Sequence, residues 1–229
     1  MTTIRGIIFD KDGTLFDFVS TWESWAQAFL RRISRDQAHA KDMGAAIGFD
    51  TKTATFAPHS IVIAGTPGEV ADVLLKHLDG WSKRELLSVL NEEAAIAPQQ
   101  QAVPLHPFLT GLRAAGYQLG VATNDAEAPA RAPLNVSGVE HLFDFIAGFD
   151  SGFGAKPQAG QLNAFCAHTG LGPEQVMMVG DSTHDLIAGR NAGMLCVGVL
   201  TGLASRGTLE PHADFVLDNI GHLPAALKK

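Results

Sequence analysis

Short apolar segments recur along the chain, and a helical pattern follows most of them. The first segment, residues 4–10 (IRGIIFD), contains three isoleucines and leads into a Gly-containing turn. Apolar runs of this length are typical of strands that are buried on both faces, as strands are in parallel sheets. Comparable segments are residues 118–123, 143–148, 175–180, 195–200 and 215–217.

Helical patterns alternate with these strands. They cover residues 107–115, 126–134, 158–169, 183–192 and 220–227. Strands alternating with helices predict an α/β fold with a doubly wound parallel sheet, a Rossmann-like core. Ligands of such sheets bind outside the carboxyl ends of the strands. The residues that directly follow each strand are therefore the first candidates for a functional site.

One long stretch, residues 17–97, interrupts the alternation and contains no convincing buried strand. Its pattern predicts helices over residues 21–33, 70–78 and 83–95, and a loop over residues 49–67. We interpret residues 17–97 as an inserted helical cap, with Trp22 and Trp25 in its apolar core. The catalytic core then comprises residues 1–16 and 98–229, and Pro98 and Pro104 flank the joint.

Charge and cysteine content exclude several classes of protein. The formal net charge is -7 and no long basic run is present, which disfavours a nucleic-acid partner. Two cysteines, Cys166 and Cys196, do not make a disulfide framework and are expected to be buried thiols. Neither a membrane span of about 18 apolar residues nor a signal-peptide pattern is visible, which predicts a cytoplasmic protein. The pattern indicates no oligomeric state.

The segment DKDGTL, residues 10–15, carries the strongest chemical signal. Asp10 closes the first strand, and Asp12 lies two residues further on, in the turn. Two carboxylates so close together repel each other, so a cation or a shared proton is expected between them. Hard oxygen ligands favour magnesium. An Asx-type turn formed by Asp12 and Gly13 is the alternative that leaves no catalytic role.

A second acidic segment, GDSTHD at residues 180–185, follows another central strand. Asp181 ends the strand, and Asp185 lies one turn into the next helix. Helix capping by Asp181 or Ser182 is the structural alternative. Capping does not explain why a second carboxylate also ends a central strand.

Polar and cationic residues lie between the two acidic segments. Thr123 and Asn124 end the strand at residues 118–123, where the Thr123 hydroxyl can either donate to a phosphate oxygen or cap the next helix. Lys156 lies in a Gly-rich loop before Pro157. A loop lysine is usually solvated, but this one accompanies a set of residues dominated by acids.

Taken together, the four segments DKDGTL, TN, GAKP and GDSTHD resemble the four motifs of the haloacid dehalogenase-like superfamily, in the same order. The combination of GxKP with GDxxxD is similar to the phosphoglycolate phosphatase-like branch. The resemblance spans residue 4 to about residue 200, and the helical insert occupies the position of that superfamily's cap.

The resemblance implies a role for each motif residue. Asp10 resembles the nucleophile that becomes an aspartyl phosphate, and Asp12 the general acid that later activates water. Magnesium would be held by Asp10, by Asp181 and by the backbone carbonyl of Asp12. Asp185 would either contact these ligands and support them or bind the metal through a water molecule.

The same resemblance implies where the phosphoryl group binds. Thr123 and Lys156 would contact its oxygens, together with backbone amides near Gly13 and Asn124. The cap would exclude water from the site. His59 and Ser60, in the irregular part of the cap, are candidate specificity residues.

The function implied is a magnesium-dependent phosphatase acting on a small phosphorylated metabolite, either phosphoglycolate-like or a sugar phosphate. Asp12 argues against a dehalogenase, which needs no acid, and against the phosphonatase branch, which has a small residue there. A sugar-phosphate mutase stays open, although residues 21–24 (TWES) lack the histidine expected early in its cap. A phospho-acceptor signalling domain has no such insert, and a non-enzymatic binding protein would be expected to lose one of the two acids.

Overall fold

The computed structural model describes residues 3–57, 59–63, 65–97 and 99–227. The chain divides into two compact units, which we call unit 1 (Met1–Phe18 with Gln100–Lys229) and unit 2 (Val19–Gln99). Pro98, one of the two prolines expected at the joint, lies outside the described residues. The assignment of a catalytic core and a cap to these units stays a prediction.

Strands and helices alternate along unit 1, whereas unit 2 is mainly helical. The strands of the described residues are β1 (Gly6–Phe9), β2 (Phe49–Asp50), β3 (Thr55–Phe56), β4 (Gln118–Ala122), β5 (Phe145–Ala147), β6 (Val176–Gly180), β7 (Leu195–Val199) and β8 (Phe215–Leu217). Their helices are α1 (Phe18–Ile33), α2 (Gln37–Ala46), α3 (Pro67–Leu74), α4 (Lys83–Ile96), α5 (Leu105–Ala114), α6 (Glu127–Val136), α7 (Gly160–Thr169), α8 (Thr183–Ala192), α9 (Arg206–Leu209) and α10 (Leu223–Ala226). Across the described ranges, every helix is too short or too polar to cross a membrane.

In the described part of unit 1, six strands form one parallel sheet in the order β5-β4-β1-β6-β7-β8. Phe9 of β1 pairs with Val121 of β4 on one side and with Val179 of β6 on the other. The chain runs outward from β1 through β4 to β5 and then crosses to β6, so the direction of winding reverses at β1. The α/β fold class with a parallel sheet is confirmed.

Both faces of this sheet are covered by helices. Ile7 and Phe9 pack on one face with Leu109 of α5, while Ile8 between them packs on the other with Phe165 of α7. Successive strand side chains point to opposite faces, so a strand covered on both sides is apolar throughout. This explains why the strands stand out in the sequence as continuous apolar runs.

Phe165 is the side chain whose truncation is expected to destabilise unit 1 strongly. It is fully buried, and a Cβ added to Gly120 of β4 would come within 2.7 Å of its ring. Phe165→Ala should lower the free energy of unfolding by about 3–5 kcal/mol, because it removes buried contacts and leaves a cavity. Urea unfolding measures the change. Phe153→Ala, at a ring that is 42% exposed, is the matched control and should cost only about 0.5 kcal/mol.

Unit 2 has its own apolar core between α1, α3 and α4. Trp25 and Phe29 of α1 stack there with ring centroids 5.0 Å apart. Trp25 is 3% exposed and Trp22 packs against the same core, so the interpretation of both as core residues is confirmed. The start of α4 is fixed by a capping box, in which Ser82 and Glu85 exchange hydrogen bonds.

The pattern missed two elements of unit 2. The loop predicted over residues 49–67 contains the short antiparallel pair β2–β3, and α2 has no counterpart among the predicted helices. Strands of two residues are too short to show alternation, and α2 has a largely polar sequence, with Asp36 capping it by accepting from the His39 amide. In the same region Ser60 is buried and donates to the Ile47 carbonyl.

The two cysteines are buried free thiols, as expected. Burial raises the pKa of the Cys196 thiol to about 11. At neutral pH this thiol is therefore protonated and a poor nucleophile.

Candidate active site

The predicted site residues of three central strands lie at one edge of the sheet. Asp10 follows β1, Thr123 follows β4 and Asp181 follows β6. Since β1 pairs in parallel with both neighbours, these three residues leave the sheet side by side. The winding of the sheet also reverses here, which is where open α/β sheets bind their ligands.

Asp10 is held by two donors. Its Oδ1 accepts from the backbone amide of Lys11 at 2.7 Å, and it lies 2.8 Å from Nζ of Lys156. The side chain is 14% exposed, so most of its surface faces protein. A carboxylate fixed in this way has little freedom to rotate, which is a requirement for a positioned nucleophile.

Lys156 connects Asp10 to Asp185. Its Nζ is 2.8 Å from Asp10 Oδ1 and 2.6 Å from Asp185 Oδ1, and the side chain is 2% exposed. The Asn124 amide fixes the Lys156 backbone, accepting from its N–H at 2.8 Å and donating to its carbonyl at 2.9 Å. The Asn124 side chain thus holds in place the loop segment that carries Lys156.

The Thr123 hydroxyl is arranged as a donor. Its Oγ1 accepts from the backbone amide of Asp125 at 3.1 Å, and the residue is 2% exposed. Among the described residues no acceptor lies within hydrogen-bonding distance of this hydroxyl, so its proton can be donated to a ligand. Helix α6 has Ala126 at its N-cap, so capping by Thr123 is not seen.

Gln161 of α7 is a supporting residue that sequence reasoning missed. Its Nε2 donates to the carbonyls of Thr123 and Gly154, both at 3.0 Å. These bonds connect the end of β4 to the loop that carries Lys156. The sequence signal for this role is a glutamine among apolar residues on the buried face of a helix. A buried amide must find hydrogen-bond partners, so such a glutamine is expected to bind neighbouring polar groups.

Three carboxylates form a cluster that fits a divalent cation. Asp10, Asp181 and Asp185 each offer an oxygen, and these atoms lie within 4.8 Å of one another. Lys156 forms ion pairs with Asp10 and Asp185, and among the described residues no cationic side chain pairs with Asp181, so the cluster carries more negative than positive charge. An all-oxygen donor set with excess negative charge suits Mg²⁺. The Asp12 carboxylate is outside this cluster, and its predicted ligand atom is the backbone carbonyl.

Two glycines bring the backbone close to Asp181. A Cβ on Gly13 or on Gly202 would overlap the Asp181 carboxylate, and Gly13 has φ +72°. Thr201 donates to the Gly13 carbonyl at 2.5 Å, which joins the loop after β7 to the first turn. Thr201 and Gly202 were not predicted as site residues. They follow β7 of the same sheet, however, and residues that follow a strand of such a sheet are candidates for its site.

Asp185 has both oxygens engaged by protein donors. Oδ1 pairs with Lys156, and Oδ2 accepts from the Ser182 amide at 3.0 Å and its hydroxyl at 2.7 Å. The residue is fully buried. This arrangement favours the prediction that Asp185 supports the ligands and Lys156 instead of binding the cation directly.

Asp12 lies beside Asp10 in the turn after β1. Its Oδ2 is 2.9 Å from Nζ of Lys11, and its Oδ1 is buried and accepts no hydrogen bond within the described part of the chain. The turn therefore leaves one oxygen of this carboxyl group with unused hydrogen-bonding capacity.

Comparison with known proteins identifies the family. The model of the haloacid dehalogenase-like hydrolases matches residues 7–199. The chain belongs to this family. The match includes all four motifs, and it confirms both the resemblance read from them and the predicted enzyme class, a haloacid dehalogenase-like phosphatase.

Similar proteins match this chain over nearly its whole length. A phosphoglycolate phosphatase of Pasteurella multocida is 29% identical over 244 residues, which cover 100% of both chains. The pyrophosphatase PpaX of Bacillus velezensis is 25% identical and covers 96% of this chain and 94% of its own. A crystal structure described as a predicted phosphoglycolate phosphatase from Haemophilus somnus has the same fold, with a TM-score of 0.73, 22% identity and 99% coverage of each chain.

The electrostatics of this hydrolase site follow from burying several acids together. Burial, and then repulsion from Asp185, raise the pKa of Asp10 to about 7, against the opposing effect of Lys156. Burial and the charges of Asp185 and Asp10 raise the pKa of Asp181 well above its usual value. For Lys156, burial favours the neutral amine, but Asp10 and Asp185 outweigh it and the pKa is raised. Without a further cation, the acids therefore tend to hold protons.

Magnesium is expected to bind about tenfold more weakly at pH 6 than at pH 8. With its pKa raised to about 7, Asp10 is mostly protonated at pH 6, so the cation must displace a proton that is absent at pH 8. The raised pKa of Asp181 acts in the same direction. Isothermal titration calorimetry of Mg²⁺ in buffers of different ionisation enthalpy measures both the affinity and the protons released.

Two variants control this experiment. Asp181→Asn should abolish Mg²⁺ binding at either pH, because it removes a carboxylate of the cluster. Asp218→Asn, at a side chain 73% exposed, should bind as the parent does. An affinity that is equal at pH 6 and pH 8, with no proton release, would contradict the expected competition.

Proposed function

We propose that this protein is a magnesium-dependent phosphatase that hydrolyses a small phosphate monoester through an aspartyl phosphate on Asp10. The observation that carries the proposal is the contact between Lys156 and Asp10 at 2.8 Å, within a cluster of acids at the switch point of the sheet. A carboxylate held next to an ammonium group and a cation site suits the transfer of a phosphoryl group, which needs positioning and charge cancellation.

Asp10, Asp181 and the backbone carbonyl of Asp12 would hold the cation. When bound, Mg²⁺ would supply positive charge that offsets the negative charge of the phosphoryl oxygens. Thr123 and Lys156 would hold these oxygens from the other strands. The Thr123 hydroxyl, whose oxygen accepts from the Asp125 amide, would donate its proton to one of these oxygens.

In the first half-reaction, a carboxylate oxygen of Asp10 attacks phosphorus. The bond from phosphorus to the ester oxygen breaks, and its electron pair goes to that oxygen. Asp12 gives its proton to the same oxygen, so the product leaves as a neutral alcohol. Asp10 now carries the phosphoryl group, and Asp12 is ionised.

In the second half-reaction, the Asp12 carboxylate takes a proton from a water molecule. The water oxygen attacks phosphorus, and the bond from phosphorus to Asp10 breaks. Inorganic phosphate is released, Asp10 is a carboxylate again and Asp12 is protonated. Each residue thus returns to its starting state, as a catalytic cycle requires.

The proposal is tested by a screen for released inorganic phosphate with and without Mg²⁺. The panel includes phosphoglycolate, pyrophosphate and a set of sugar phosphates. The first two are chosen because similar proteins are named phosphoglycolate phosphatase and pyrophosphatase. We expect hydrolysis of at least one phosphate monoester that depends on Mg²⁺. Release that survives exhaustive chelation, or no release from any monoester, would contradict the proposal. Interconversion of sugar phosphates without release of phosphate would favour the mutase.

Asp12→Ala is expected to discriminate between leaving groups. It should slow release of the alcohol from alkyl phosphates about 100-fold more than release of the phenol from p-nitrophenyl phosphate, because only the alkoxide needs the proton. Single-turnover release of the leaving group at saturating Mg²⁺ isolates this step from the second half-reaction. Equal slowing of both substrates, in a variant with an unchanged circular dichroism spectrum, would exclude Asp12 as the acid.

A further inference from the structure

Lys11, between the two acids of the first motif, has no role in the mechanism described so far. Its side chain is 1% exposed. A lysine is rarely buried so completely unless acids surround it, because removing its charge from water is costly. Its Nζ lies 2.9 Å from Asp12 Oδ2 and 3.3 Å from Asp125 Oδ2, so it connects the turn after β1 to the segment after β4.

Asp125 is the fixed end of this connection. Its Oδ1 accepts from the backbone amide of Ala126, and its own amide donates to Thr123 Oγ1. The residue is 7% exposed. With its other oxygen bonded to the start of α6, Asp125 presents Oδ2 to Lys11 in a defined place.

Asp12 is the adjustable end. Its carboxyl group can rotate about two side-chain bonds, and the turn that carries it contains a glycine with φ +72°. Lys11 contacts Oδ2, while Oδ1 is buried and accepts no hydrogen bond among the residues described. A single ammonium group therefore distinguishes the two oxygens of Asp12.

We propose that Lys11, anchored by Asp125, is a positioning residue that fixes the rotamer of Asp12 and leaves Oδ1 as the oxygen that serves the leaving group. The inference rests on the proposed role of Asp12 as the acid. A competing explanation is that Lys11 only balances the charge of Asp125. The two explanations differ in what happens when both charges are removed together.

The test compares Lys11→Met with the charge-balanced variant Lys11→Met/Asp125→Asn in the full-length protein. The readout is the ratio of single-turnover rates for an alkyl phosphate and p-nitrophenyl phosphate, at saturating Mg²⁺ and saturating substrate. Positioning predicts that Lys11→Met slows the alkyl substrate about tenfold more than the aryl substrate, since only the alkyl group needs a well-placed acid. It also predicts that the double variant keeps this bias.

Charge balance alone predicts that the double variant returns to the parent ratio, and that result would overturn the proposal. Equal slowing of both substrates by Lys11→Met would also overturn it, because a general structural defect does not distinguish leaving groups. Lys83→Met, which removes an exposed lysine paired with Asp72, is the matched control and should leave the ratio unchanged. Thermal melting of each variant at saturating Mg²⁺ checks that it is folded at the assay temperature.

Asp12→Ala, run beside these variants, separates failure of this proposal from failure of the function. If Asp12→Ala shows the leaving-group bias and Lys11→Met does not, Asp12 is the acid and Lys11 does not position it. If Asp12→Ala shows no bias, the acid role of Asp12 fails and the positioning role of Lys11 falls with it.

Discussion

Asp10→Asn is expected to reduce the turnover of every phosphate monoester by at least about four orders of magnitude, because it removes the nucleophile and a charge of the cation site. The substitution is nearly isosteric, so the fold should persist. Steady-state release of phosphate by the purified variant measures the effect. Asp72→Asn, an exposed acid of unit 2 with a side chain 60% exposed, is the matched control and should keep parental activity.

The stability of the Asp10→Asn variant gives a second check. The pKa of Asp10 is raised in the folded protein, so its ionisation costs stability as pH rises through the range from about 3.8 to about 7. A neutral amide avoids this cost. Without metal at pH 8, the variant should therefore melt no lower than the parent. A clearly lower melting temperature would mean that lost activity reflects damage to the fold, and near-parental activity would rule out the covalent role.

Lys156→Met is expected to lower single-turnover phosphoryl transfer by at least about three orders of magnitude. The variant removes the ammonium group that lies within 2.8 Å of both Asp10 and Asp185, together with its proposed contact to the phosphoryl oxygens. The rate of leaving-group release from p-nitrophenyl phosphate at saturating Mg²⁺ measures the loss. An activity within tenfold of the parent would contradict the role given to this lysine.

The Lys156→Met variant should also be destabilised in a pH-dependent way when no metal is present. Lys156 lowers the pKa of Asp10, so its removal raises that pKa further and increases the cost of ionising the acids. The loss of melting temperature relative to the parent should accordingly be larger at pH 8 than at pH 6. Lys76→Met, on a short helical turn of unit 2, is a control for the loss of a lysine elsewhere.

The residues that follow the central strands could be predicted from the sequence. Asp10, Thr123 and Asp181 each come directly after an apolar run, and parallel strands leave a sheet at the same edge. The rule needs only the position of each strand end. It does not need the side-chain rotamers, which is why it brought these three residues together correctly.

Contacts that depend on rotamers and on distant pairings could not be predicted in the same way. Lys11 and Asp125 are separated by 114 positions, and their contact requires both the parallel pairing of β1 with β4 and the course of the chain after each strand. Gln161 bonds to backbone carbonyls, which carry no sequence signature. Short elements such as β2 and β3 could not be predicted, because two residues are too few to show the alternation of apolar and polar side chains that marks a strand.

The most direct test of the central claim is the location of the phosphoryl group during turnover. Trypsin cuts after Arg5 and Lys11, so Asp10 is the one acidic side chain of the peptide at residues 6–11, while Asp12 begins the next peptide. A single turnover is quenched with acid, and borohydride then reduces the acyl phosphate to a stable alcohol before the alkaline digestion can hydrolyse it. Mass spectrometry is expected to find homoserine in place of Asp10 in the peptide at residues 6–11. Homoserine in any other peptide, or phosphate release with no reduced peptide at any time of quenching, would contradict the account.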